Sequence, residues 1–111
     1  MLKPGHYEVL VFHDRSGCSP YLEWLGMLDW KMQERILSRV GRLKRGQFGD
    51  FKSLGEGLYE LRLFFGPGYR VYFGESGGKV ILILSGGDKS TQKKDIHLAK
   101  EFWTIYLEDN Q

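Results

Sequence analysis

The sequence predicts a single α+β domain over residues 1–111, with its elements in the order β-α-α-β-β-β-α. Three observations carry that reading. Apolar runs rich in β-branched and aromatic residues, parted by glycine-rich turns, fill residues 58–84 and read as a three-strand meander. Two helical periodicities precede the meander and one follows it. A chain of 111 residues has room for one hydrophobic core and needs no staple to fold. The expected architecture is a largely antiparallel four-stranded sheet with helices packed on one face.

Each element has its own signal. Tyr7-Glu8-Val9-Leu10-Val11-Phe12 reads as the first strand, and Asp14 to Ser19 as a turn. Ser19 before Pro20 suits a helix N-cap and first helical position. Tyr21, Leu22, Trp24, Leu25 and Leu28 then form the apolar face of a short helix. Asp29 caps a second helix that runs to about Arg45, on which Met32, Ile36, Val40 and Leu43 make an apolar stripe. Lys31, Arg35, Arg39 and Arg42 recur one position earlier, so a basic flank lies beside that stripe. Gly46 to Gly57 reads as a loop. Leu58 to Phe65, Tyr69 to Phe73 and Lys79 to Leu84 are the remaining strands, divided by Gly66-Pro67-Gly68 and by Glu75 to Gly78. Asp88 or Ser90 caps a last helix to about Leu107, with Ile96, Ala99, Trp103 and Tyr106 in one stripe.

Composition narrows the class. Hydrophobic residues are 41% and charged residues 27% of the chain, which fits a globular protein and not a disordered one. One cysteine, Cys18, excludes an internal disulfide framework and a cysteine zinc site, and it is compatible with a reducing cytoplasm. No apolar run approaches the ~18 residues that span a bilayer, and the N-terminus lacks a signal-peptide pattern. A cytoplasmic protein without a membrane partner is therefore expected. The net charge of +2 is unevenly spread. Residues 31–54 carry 7 basic and 2 acidic side chains, as a local polyanion-binding face would.

Strand alternation sharpens the picture. With Gly66-Pro67-Gly68 as the hairpin loop, residue 64 faces 70 and residue 62 faces 72. Leu61, Leu63, Val71 and Phe73 then share an apolar face. Arg62, Phe64, Arg70 and Tyr72 share the other, an interleaving of arginines and aromatics suited to phosphates and bases. The plainer reading is a solvated sheet face on which Glu60 and Arg62 are surface filler.

Several stretches resemble one family: Gly57-Leu58-Tyr59-Glu60-Leu61-Arg62, Gly68-Tyr69-Arg70-Val71-Tyr72-Phe73, Leu84-Ser85-Gly86-Gly87-Asp88-Lys89-Ser90-Thr91-Gln92, and Asp95-Ile96 with Ala99. Together they resemble the RelE/ParE toxin superfamily, and within it the addiction module killer protein branch close to HigB-type toxins. The resemblance spans nearly the whole chain. It implies the toxin of a type II toxin–antitoxin system, held inactive by a cognate antitoxin, a small helix-turn-helix protein. It also implies a ribosome-dependent endoribonuclease (an mRNA interferase) acting on mRNA, or alternatively a ParE-like poison of DNA gyrase, or a silent relative that only binds its antitoxin.

Metal-free RNA cleavage, which uses no cofactor, needs a base for the ribose 2′-hydroxyl, cations for developing charge and an acid for the leaving oxygen. The resemblance assigns Arg70 to transition-state charge, Arg62 to a basic strand position, and Lys89 to the basic position after the last strand. Lys52, Tyr72 and Gln92 are candidate RNA contacts, as are Arg35, Arg39 and Arg42 of the basic helix, whose plainer reading is a solvated face. The chain departs from the family near its C-terminus, where relatives commonly carry a tyrosine or histidine as acid or base. Its nearest polar candidates are Gln92, Lys93, Asp95 and His97, none a clean match, and of these His97 and Asp95 are the candidates for acid or base. His6 and His13 do not amount to a metal site without a third ligand. Trp24, Trp30 and Trp103 suit a core or a protein interface.

Overall fold

The structure is a computed structural model that describes residues 2–110. Its sheet has five strands rather than the expected four: β1 (Glu8–Val11), β2 (Phe51–Gly55), β3 (Leu58–Arg62), β4 (Arg70–Ser76) and β5 (Val80–Gly87). Their spatial order is β1-β5-β4-β3-β2. β1 runs parallel to β5, and all other pairs are antiparallel. The added strand, β2, lies inside the segment expected to be a loop. It is an edge strand, mostly exposed, held to β3 by backbone pairing with a register shift between Ser53 and Gly55. Side-chain alternation, the signal a buried face imposes, is absent from such an edge.

The helices begin where their caps are. Ser19 Oγ accepts from Leu22 N at 3.1 Å and starts α1 (Pro20–Gly26). Asp29 Oδ1 accepts from Met32 N at 3.0 Å and starts α2 (Trp30–Gly41), which continues as a 3-10 turn over Arg42–Arg45. Asp88 caps a second 3-10 turn, Lys89–Thr91, that leads into α3 (Gln92–Asp109).

The helices do not share one face, which corrects the second part of the expected architecture. Tyr21 and Leu25 of α1 and Ile36 and Val40 of α2 pack with Leu61, Leu63, Val71 and Phe73, the apolar face foreseen from alternation. Ala99 and Trp103 of α3 pack on the opposite face with Leu58, Tyr72, Leu82 and Leu84. Gly74 makes room for this: a Cβ there would run into the Trp103 ring. The sheet is thus the middle of three layers. No helix among the described residues is long and apolar enough to cross a membrane.

The hairpin between β3 and β4 is longer than expected. Arg62 pairs with Arg70 and Glu60 with Tyr72, and Leu63 N donates to Tyr69 O at 3.0 Å. The slip relative to the expected register is two residues, one full side-chain period, so every residue keeps its face.

Candidate functional site

The site forms at the end of the sheet where β3 stops and β4 starts. Arg62 and Arg70 lie directly opposite one another. Arg70 also pairs with Gly87, the last residue of β5, and Lys89 follows on the capped turn. The space beside Gly68 is bounded by Lys89 Cβ and Arg70 Nη1, at 3.4 and 3.5 Å from where a Cβ would stand. Arg62 and Arg70 therefore stand together, and the Lys89 backbone turn lies beside Arg70, although the three come from three elements.

What holds the two arginines together is Glu60, which the plainer sequence reading took as filler. Glu60 is fully buried. Its Oε2 accepts from Tyr72 Oη at 3.1 Å and from Gln92 Nε2 at 2.9 Å. Its Oε1 accepts from Arg62 Nε at 3.2 Å. Arg70 Nε stands 3.8 Å from the same oxygen, within ion-pair range but too far for a hydrogen bond, so this buried nitrogen has no acceptor. Arg70 is anchored instead by Nη1, which donates to the carbonyls of Gly68 and Tyr69 at 3.1 and 3.3 Å. One carboxylate facing two guanidiniums leaves the centre positive. The signal for Glu60 was in the sequence: it lies two residues before Arg62, hence on the same strand face.

This arrangement changes several assignments. Tyr72, expected to face RNA, is fully buried beneath α3, and its hydroxyl is a donor to Glu60. Burial, then the adjacent Glu60 charge, pushes the Tyr72 phenol far above its ordinary range, so it stays protonated. Gln92 is engaged with Glu60. Arg70 was read as a surface position, yet its side chain is only 13% exposed. Asp95 is buried over Gly87 and accepts from Thr91 Oγ1. His97 lies about 200° around α3 from Asp95, at ~100° per residue, and points away from the cluster. Its Nε2 is 3.1 Å from Glu101, on side chains 75% and 56% exposed. Lys52 is exposed on β2 opposite Glu60, and so on the face of the site.

The basic flank of α2 opens onto the same end of the sheet. A cleft of about 510 Å³ is lined by Arg35, Arg39 and Arg42 together with Arg62, Phe64 and Phe65. The Arg35 guanidinium stacks 4.0 Å over the Phe65 ring. Arg39 Nη2 donates to Phe48 O at 2.7 Å, and its buried Nη1 has no partner. Burial, then the Arg42 charge, holds the Arg39 guanidinium below its ordinary range. Arg62 belongs to both the cleft and the Glu60 centre, so it links the helix stripe to the sheet cluster.

The fold and site define a small three-layer α+β domain with an arginine centre built on a buried carboxylate. The family model for phage-derived protein Gp49-like (DUF891) matches residues 23–103, which include every element of that centre, and the chain belongs to this family. A relative from Haemophilus influenzae, itself an uncharacterised protein, is 47% identical over 78 residues, covering 69% of this chain and 79% of its own.

Proposed function

We propose that this chain is the toxin of a type II toxin–antitoxin pair and that it cleaves mRNA on the ribosome. The observation that carries the reading is the pairing of Arg62 and Arg70 on the buried Glu60 carboxylate, with Lys89 across Gly68 from Arg70 and a cleft lined by three more arginines alongside. The Gp49-like family, toxin-like and related to addiction module killer proteins, supports the same class. In this reading the ribose 2′-hydroxyl gives up its proton and attacks the adjacent phosphate, the bond from phosphorus to the next nucleotide's 5′-oxygen breaks, and a 2′,3′-cyclic phosphate and a reprotonated 5′-hydroxyl are left. Arg70, tethered on one side by two carbonyls, offers charge to the pentavalent transition state. Lys89 approaches from the last strand, while Arg62 and Lys52 hold the flanking phosphates. Asp95 and His97 are poorly placed to move protons at this point, so the ribosome supplies that assistance.

The partner is a cognate antitoxin, a small helix-turn-helix protein whose acidic segment covers the basic surface. Both act in the cytoplasm. Induction of the chain without its antitoxin, followed by primer-extension mapping of transcripts, tests the reading. New 5′ ends within coding regions are expected. Arrested growth with intact transcripts and loss of gyrase supercoiling would replace it with the gyrase-poison reading.

A further inference from the structure

Phe64 is the most exposed large apolar side chain of the described residues, at 84%. It stands past the end of β3, at the rim of the arginine cleft and next to Arg62. An aromatic ring so placed gains nothing from the core. Its neighbours have a common chemistry. The Arg35 guanidinium lies on the Phe65 ring, one face covered, and the side chain as a whole is exposed. Four arginines line the cleft against two carboxylates, Glu34 and Asp50. A volume of about 510 Å³ is within the range of small-ligand pockets, roughly 300–1,000 Å³.

We propose that Phe64 and Arg35 form a slot that takes an unpaired base of single-stranded RNA, with Arg39, Arg42 and Arg62 holding its phosphates. The inference rests on the nuclease reading and adds to it a binding subsite beside the Glu60 centre, with Arg62 common to both. Planar rings and guanidinium planes accept any base, because every base has a π face. A duplex gains little there, since its bases are already stacked. The excess of guanidinium over carboxylate selects a polyanion, and the protruding ring selects one that carries planar groups. An acidic peptide would satisfy the first condition and leave the second unused.

Fluorescence anisotropy with the purified chain tests this, using a short single-stranded RNA, the same strand with abasic residues, and an RNA duplex. The native chain is expected to bind the strand with bases more tightly than the abasic strand. Phe64→Leu should lower affinity for the first about tenfold, the worth of one stacked base, and leave the other two unchanged. Phe64→Trp should retain binding and lose indole fluorescence on adding the strand with bases. Thermal melts of the Phe64 variants should coincide with that of the native chain, since Phe64 is exposed. Arg70→Ala should slow transcript cleavage in induced cells about a hundredfold while the purified variant keeps the preference for bases, which separates the slot from the reaction. Equal binding of the basic and abasic strands, or Phe64→Leu binding like the native chain, overturns the slot. A Phe64-dependent preference in a chain whose induction in cells cleaves no transcript keeps the slot and overturns the nuclease reading.

Discussion

Arg62 and Arg70 are cross-strand partners, and the buried carboxylate of Glu60 lies against both. Like charges directly opposite on adjacent strands repel. Glu60 offsets that repulsion from below, and Tyr72 and Gln92 donate to its second oxygen. The carboxylate in turn is stable under α3 only because it is surrounded by donors. Neither half of the arrangement stands without the other.

Glu60→Ala should therefore be among the most damaging single changes. It leaves two guanidiniums facing each other with no anion between them. Breaking a buried pair in this way costs about 3–5 kcal/mol. Glu60→Gln retains an acceptor for Tyr72 and loses the charge, so it should cost less. Urea denaturation of the three proteins gives the order native, Gln, Ala. Equal midpoints would show that the centre does not contribute to folding.

Arg70→Ala should act on both rate and stability. Removal of one preorganised donor costs roughly 3 kcal/mol in the transition state, about a hundredfold in rate. Some stability is lost as well, because the buried Glu60 carboxylate keeps its hydrogen bonds but forfeits one of the two cations that face it. Arg70→Lys should recover most of the stability and only part of the rate, since an ammonium cannot reproduce the planar fork. Toxicity assays beside circular dichroism melts separate the two effects. Full toxicity of a folded Arg70→Ala protein would remove the residue from the reaction.

His97→Ala should change neither toxicity nor stability beyond about 0.5 kcal/mol, the usual limit for an exposed position. Its contact with Glu101 is an exposed pair on one helix face, and such pairs contribute little. A clear loss of toxicity in the melt-neutral variant would return His97 to the acid–base role.

Acid should weaken the turn that carries Lys89. Asp88 accepts from Ser90 Oγ and Ser90 N, and these bonds hold its carboxyl below the ordinary 3.8. A carboxyl lowered by folding stabilises the native state fully above its unfolded value, and that contribution fades as pH falls through the folded value. The melting temperature of the native chain should exceed that of Asp88→Asn near neutrality, with the gap closing below about pH 4. A gap that persists in acid would mean that the charge of Asp88 does not matter to the cap.

Much of this was legible in order along the chain. Ser19-Pro20 and Asp29 mark helix starts because an N-cap is a local bond between a side chain and the backbone three residues on. The face shared by Leu61, Leu63, Val71 and Phe73 follows from a period of two, and it survived a two-residue error in register for the same reason. The basic content of residues 31–54, and the arginines at 62 and 70, required no fold to be noticed.

Only the tertiary structure decided what covers the second sheet face. Leu58, Glu60 and Arg62 alternate with apolar residues, and such a pattern reads as solvent-facing whenever no partner is known. In the folded chain α3 lies across that face, turning Glu60 from a surface residue into the anion at the centre and Tyr72 from an RNA contact into its donor. Strand β2 was hidden because backbone pairing with β3, not side-chain pattern, holds it. The union of the α2 arginines with Arg62 was hidden too, since the segments meet only when the hairpin folds back beside the helix. Local chemistry determined the elements and their charges. Which faces meet was determined by burial between residues distant in sequence, a relation that no window along the chain contains.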